Sequence, residues 1–329
     1  ELKDLKIKQE AEEKKYAESK NNFQFLIIGI TGACMLLILV LIGRGYFAKR
    51  KSNIKLADIN EELESQKSII EAKNKDITDS ILYAQKIQEA MLHSQTDIRN
   101  VFPDSFVIYK PKDMVAGDFY WWINEGNRFY LAAADCTGHG VPGAMISVAC
   151  ASILNKALKE LGLSKPSDIL DKTTELVVDA FSISESEQPH MKDGMDIALC
   201  AIEKGEKESV TIEFSGANNP LWIFRKNGAF EEIRGDRQPV GYFENQKPFT
   251  NSSITLEKGD TIYMFSDGYT DQFGGEKNKK FKSSNFKKKL SSIQSNSLAA
   301  QKEILEKGFE EWKGDFAQTD DVCVIGLKI

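Results

Sequence analysis

The 329-residue chain has no pair of cysteines at C-x-x-C spacing and only three histidines (His93, His139, His190), which argues against a Cys/His zinc site. Its five cysteines, Cys34, Cys136, Cys150, Cys200 and Cys323, are scattered and mostly flanked by apolar residues, a usage that suits a reducing compartment. There is no excess of basic charge: 43 Lys and Arg stand against 49 Asp and Glu, a net charge of −6, so no global positive field points to nucleic acid. Nor is apolar material short. With 41% hydrophobic and 28% charged residues the chain can bury a sizeable core and is not disordered by composition.

What is present first is a polar, charge-alternating segment, residues 1–22, that reads either as a solvated helix or as a tail. It begins at Glu1 rather than Met, as a fragment or processed product would. From Phe23 to Ile42 no charged residue occurs, and twenty apolar residues in a helix span a hydrocarbon core. Residues 23–43 are therefore expected to be a transmembrane helix. Arg44, Lys49, Arg50, Lys51 and Lys55 follow at once and favour a single pass through the inner membrane with the C-terminal part cytoplasmic.

Residues 52–98 form the next unit. Leu56, Leu63, Ile70, Ile77, Ala84 and Met91 recur every seven residues, and the companion seam holds Ile59, Gln66, Lys73, Ser80 and Ile87. The pattern fits a parallel coiled coil, hence a homodimer, with a polar middle that weakens it and suits a signalling linker. An amphipathic helix lying on the following domain fits the same residues.

Phe102-Pro103 breaks the helical pattern. From there to Ile329 the texture changes to short apolar strands with two helix pairs, one at 143–181 and one at 284–313. That order predicts an α+β domain over 102–329, a β-sandwich flanked by helices. Tyr120, Trp121 and Trp122 are expected in its core.

Four aspartates stand where predicted strands end: Asp118, Asp135, Asp267 and Asp320. Each alone could be an ordinary turn residue. Together at strand ends they would repel one another at the border of a low-dielectric interior and need cations. All-oxygen donors suit Mg²⁺ or Mn²⁺, and a pair of such ions activates water for in-line attack on a phosphate ester.

The motifs GDFYWW around Asp118, ADCTGHGVPGAMIS around Asp135, SGANNPLW at 215–222, FSDGYTD at 265–271 and TDDVCVIGL at 319–327 resemble, in order, the PPM family of metal-dependent Ser/Thr protein phosphatases (protein phosphatase 2C-like), and within it the bacterial SpoIIE-like sporulation-phosphatase branch. SILYAQKIQEAML at 80–92 resembles the regulatory helix that often precedes this branch. The resemblance covers 102–329 and implies a PPM-type fold and hydrolysis of phosphoserine or phosphothreonine on a partner protein, with an anti-sigma-factor antagonist as the type of substrate. It implies that Asp135 bridges two Mn²⁺ or Mg²⁺ ions, that Asp267 and Asp320 hold the first, and that Asp118 and the carbonyl of Cys136 serve the second. Asp193 and Asp196 would serve a weak third ion, and Asp321 would orient the ligands. His139 would be the general acid, although its spacing from Asp135 is longer than in eukaryotic members. Lys112 would replace their phosphate-binding arginine.

Two other readings fit parts of the sequence. A non-catalytic membrane-anchored scaffold would keep the domain for binding alone. A sensor of the histidine-kinase kind would also place a helix after a membrane span, but no kinase half follows His93 and Gly274-Gly275 is not an ATP-binding box.

Overall fold

The computed structural model describes residues 2–91, 95–181, 193–204 and 209–329. His93 and His190 lie outside the described residues. The chain divides into two units, Glu1–Asp76 and Ile77–Ile329, so the division falls inside the 52–98 linker.

The first unit is helical throughout, part of helix α1 (Leu2–Met91), and none of its described residues is buried. Its uncharged run is exposed, with Phe25, Leu36 and Leu39 among the open side chains. Such a helix draws no stability from packing within its own unit. By length and composition it is a candidate membrane span. The linker positions Leu56, Ile59, Leu63 and Ile70 are exposed as well.

In the second unit α1 continues to Met91. Helix α2 (Gln95–Val101) leads into β1 (Ser105–Lys110), β2 (Phe119–Glu125) and β3 (Arg128–Cys136), then α3 (Gly140–Asn155), which runs on through a π turn at Lys156–Glu160, and α4 (Pro166–Phe181). Strands β4 (Gly194–Lys204), β5 (Val210–Ala217), β6 (Leu221–Phe224), β7 (Phe230–Ile233), β8 (Val240–Gly241), β9 (Ser252–Leu256) and β10 (Thr261–Phe265) follow. The turn α5 (Gly268–Asp271), the hairpin β11 (Phe273–Gly274) and β12 (Lys279–Lys280), helices α6 (Ser283–Ser292) and α7 (Leu298–Lys313), and β13 (Val322–Lys328) complete it.

Alternation along the strands explains the layers. In β3, Tyr130, Ala132 and Ala134 face one side with α3 and α4, while Phe129, Leu131 and Ala133 face the other sheet. In β13, Cys323, Ile325 and Leu327 face that same interior, whereas Val322 and Val324 pack towards α6 and α7. Both faces of each sheet are therefore covered, and the strands read as continuous apolar runs. One sheet has the order β1-β13-β10-β6-β7 and the other β2-β3-β4-β5-β9, with β8 beside β4. The result is helices, sheet, sheet, helices, the α+β sandwich expected from the sequence. Trp121 is buried, and its indole N–H donates to Asn155 at 3.0 Å, tying β2 to α3. Helix α3 with its π turn (Gly140–Glu160) also has the length and composition of a membrane span, but seven of its residues from Gly143 to Leu154 are buried in the core.

Candidate metal centre

The carboxylates gather where strand register brings strand ends together. Asp135 and Asp196 are direct cross-strand partners of β3 and β4, like charges opposite each other on the face between the sheets. Asp118 immediately precedes β2, whose Phe119 pairs with Ala134. In the other sheet Phe265 pairs with Val324 and Lys110 with Val322, so Asp267, just after β10, and Asp320, just before β13, sit at a common end.

Asp321 links the two sheets. Its Oδ1 accepts the backbone N–H of Lys112 at 2.7 Å and its Oδ2 that of Gly117 at 2.6 Å, which fixes the loop carrying Asp118. Tyr109 adds a hydroxyl donated to the Asp118 carbonyl at 3.1 Å. Three glycines interlock beside this loop. A Cβ on Gly117 or on Gly143 would lie 2.3 Å from the Gly138 carbonyl, and the Cys136 carbonyl is 3.3 Å from the same point on Gly117. Gly138 itself has φ +83°, a conformation that favours glycine. Gly117→Ala is accordingly expected to cost about 1–3 kcal/mol by overpacking and to displace Asp118. Thermal unfolding and hydrolysis rates check this, and an unchanged midpoint and rate would show that the loops do not interlock.

Burial and mutual repulsion of the carboxylates dominate the electrostatics, with Lys280 a smaller opposing charge at Asp267. Asp118 is 2% exposed, and its Oδ2 has no hydrogen-bond partner. Burial, then the charge of Asp135, holds its carboxyl well above the ordinary range, against a lowering hydrogen bond from Ser266. Burial followed by Asp267 and Asp320 pushes Asp135 up to about 8. Asp267 is pushed up to about 6 by the desolvating sheet end, then by Asp271 and Asp320. Asp196 is raised by burial and steadied by Asn218, which donates at 2.7 Å.

Among the described residues no three His, Cys, Asp or Glu side chains are drawn together closely enough to enclose an ion as they stand. The carboxylates nevertheless act on one another: Asp118 with Asp135, and Asp135 with Asp196, Asp267 and Asp320. An orphaned buried carboxylate oxygen, like charges directly opposite, and an all-oxygen donor set fit a hard divalent cation.

The remaining sequence candidates lie at the rim. His139 is exposed, just before α3, with Nδ1 3.3 Å from Asp113 Oδ2. Lys112 contributes its backbone N–H to Asp321, and among the described residues its ammonium forms no ion pair. The Cys136 thiol is buried beside Cys150. Asp193 accepts from the Thr137 hydroxyl at 3.2 Å.

Two contributors were not singled out from the sequence. Ser266 is fully buried beside Asp118. Gln88 is the one buried residue of α1, and it grips Ala116 through both backbone groups. Its amide N–H donates to the Ala116 carbonyl at 2.6 Å and to Ser147 Oγ at 2.9 Å, while its carbonyl accepts the Ala116 N–H at 3.2 Å. The available signal was a helix stripe, Ile81, Ala84, Gln85 and Gln88, that shares only Ala84 with the heptad seam.

Fold and site together define a PP2C-type phosphatase domain. The sequence profile of Stage II sporulation protein E (SpoIIE) matches residues 125–329, most of the chain, and the chain belongs to that family. It is 24% identical over 200 residues to the phosphoserine phosphatase RsbU of Bacillus subtilis (strain 168), covering 60% of this chain and 55% of RsbU. The chain thus spans about half the length of that curated relative. The SiaA-PP2C domain of Pseudomonas aeruginosa superposes with a TM-score of 0.68 at 27% identity, covering 78% of this chain and 99% of that domain. The PP2C domain of SpoIIE from Bacillus subtilis, with a fragment of its regulatory domain, gives 0.53 at 17% identity, covering 68% and 62%, and shares the fold.

Proposed function

We propose that the second unit hydrolyses phosphoserine or phosphothreonine on a partner protein, and that the first unit anchors it to the inner membrane with the catalytic part cytoplasmic. The observation that carries this reading is the buried, unpartnered Asp118 oxygen within the electrostatic field of Asp135, which in turn feels Asp267 and Asp320. Membership of the SpoIIE family and the likeness to a relative named phosphoserine phosphatase support it.

Two bound Mn²⁺ or Mg²⁺ ions would neutralise the carboxylates and supply an activated water for attack on phosphorus. Asp135 would serve both, Asp267 and Asp320 the first, Asp118 and the Cys136 carbonyl the second, and Asp196 with Asp193 a weaker third. Asp321 holds the Asp118 loop in place, and Ser266 restrains the Asp118 carboxyl. His139, held by Asp113, is the candidate proton donor to the departing serine oxygen, and Lys112 the candidate phosphate contact. A small anti-sigma-factor antagonist is the type of substrate the resemblance favours. The test is phosphate release from a phosphoserine peptide by the full chain in detergent. It should be abolished by chelation and restored by Mn²⁺; release that persists after chelation would refute the reading.

The same proposal includes regulation. The heptad positions Leu56, Ile59, Leu63, Ile70, Ile77, Ile87 and Met91 are all exposed, an apolar seam suited to a second copy of the helix. A shift of that helix reaches the site through Gln88 and Ala116, two residues before Asp118. Inserting one residue near Lys73 rotates everything downstream by about 100°. Activity in the full chain should then change at least severalfold, and an unchanged rate would remove the relay.

A further inference from the structure

We propose that the lysine-rich face formed by the β11–β12 hairpin and α6 docks an acidic segment of the phosphorylated substrate protein beside the metal centre. This rests on the phosphatase reading and adds how its substrate is recognised. Between residues 274 and 289 there are seven lysines and one acidic residue, Glu276, in a chain whose net charge is −6. Lys277, Lys279, Lys280, Lys282 and Lys288 are exposed.

Neighbouring α7 carries its lysines differently, each beside a glutamate. On α7, Lys302 pairs with Glu306, Lys307 with Glu311 and Lys313 with Glu310. In the proposed patch Lys280 pairs with Asp271 at 2.5 Å and Lys287 lies 3.4 Å from the Phe230 ring centroid. Among the described residues Lys277, Lys279, Lys282 and Lys288 have no acidic partner. Four unmatched cations concentrated in one place raise the local positive potential and the encounter rate with an anionic partner.

The patch is tied to α7 and adjoins the site. Gly275 donates its N–H to the Trp312 carbonyl at 2.9 Å, and the Trp312 indole donates to the Gln272 carbonyl at 3.0 Å. The Phe281 and Trp312 rings meet edge to face at 5.2 Å. Lys282 N–H donates to the Thr270 carbonyl at 2.6 Å, and the Asp271 N–H to the Asp267 carbonyl at 2.8 Å. Asp267, Asp271 and the lysine hairpin are thus one continuous hydrogen-bonded turn. A segment whose phosphate lay at Asp267 would pass over it. A charged rim of this kind sets association rate and specificity, and an acidic stretch flanking the phosphoserine is the complement.

The test is binding of two fluorescent phosphoserine peptides, one with glutamates on both sides and one with serines, to the full chain in neutral-lipid nanodiscs. The comparison is with the K277E/K279E/K288E variant, whose changed residues are all exposed and outside the carboxylate site. At low salt the wild type should bind the acidic peptide about tenfold more tightly, an advantage that shrinks as salt screens the charges. The variant should lose it while hydrolysing p-nitrophenyl phosphate at the wild-type rate. Equal binding of both peptides by the wild type, or an acidic preference kept by the variant, would overturn the proposal. So would lysine-dependent binding to phosphatidylserine vesicles with no peptide preference. Because the readout is binding, loss of p-nitrophenyl phosphate hydrolysis in the wild type would count against the phosphatase reading alone.

Discussion

Asp135→Asn is expected to lower phosphoserine hydrolysis by at least about a hundredfold, the scale on which one preorganised charge-stabilising group acts, and at the same time to stabilise the metal-free protein at high pH. Both effects come from the same placement. Asp135 lies opposite Asp196 and in the field of Asp267 and Asp320, and burial with those charges lifts its carboxyl to about 8. A carboxyl whose folded value lies above its ordinary 3.8 contributes stability at low pH that is lost as pH rises through the folded value. Asp118 and Asp267 are raised too and act in the same direction. The metal-free wild type should therefore become less stable from about pH 4 to about pH 8. Mn²⁺ should reverse that loss, with a larger gain at the alkaline end. Asparagine removes one of the repelling charges, so the variant should melt higher without metal at pH 8 and gain less from Mn²⁺. Thermal unfolding at the two pH values, with and without Mn²⁺, checks this. A variant that gains as much from the ion as the wild type would place the cation elsewhere.

Replacing Gln88 is expected to have the next largest effect, although Gln88 belongs to the linker helix. Leucine there has a similar volume but strands the buried Ala116 N–H, at about 1–3 kcal/mol, and leaves the Ala116 carbonyl with only the Ser147 hydroxyl at 3.3 Å. The helix should then undock, and the loop from Lys112 to Asp118 should lose one of its anchors, leaving Asp321 and the Tyr109 hydroxyl. Hydrolysis should fall at least about tenfold, one factor of ten for each 1.4 kcal/mol lost from the competent arrangement. Gln88→Glu keeps an acceptor for the Ala116 N–H but loses the amide donor, and should be intermediate. Hydrogen exchange across 112–118 should rise in parallel. A Gln88→Leu protein with full activity and unchanged exchange would show that the grip is structural and carries no signal.

Much of this could be read from residue order, and the reasons are specific. The strands holding Asp118 and Asp135 were legible because both of their faces are buried, which writes uninterrupted apolar runs such as Phe129 to Ala134. The aspartates stood out because each interrupts such a run at its end. What was not legible depends on register. Nothing in the sequence says that Asp135 faces Asp196, or that Asp321 reaches back some two hundred residues to hold Lys112 and Gly117. Gln88 was hidden for another reason. In a helix read by its heptad seam, a glutamine off that seam is one of many polar residues until the surface it meets is known. The lysine hairpin was visible as composition, but its closeness to Asp267 comes from the turn that joins them.

The central claim is that four distant carboxylates share a pair of cations. The most direct measurement is a crystal structure of the protein with Mn²⁺, with the ions located by their anomalous scattering. The account predicts two peaks between the sheets, with oxygens of Asp118, Asp135, Asp267 and Asp320 around them and Asp135 touching both. Anomalous density that avoids these side chains, or none at all under conditions where the protein hydrolyses phosphoserine, would contradict it.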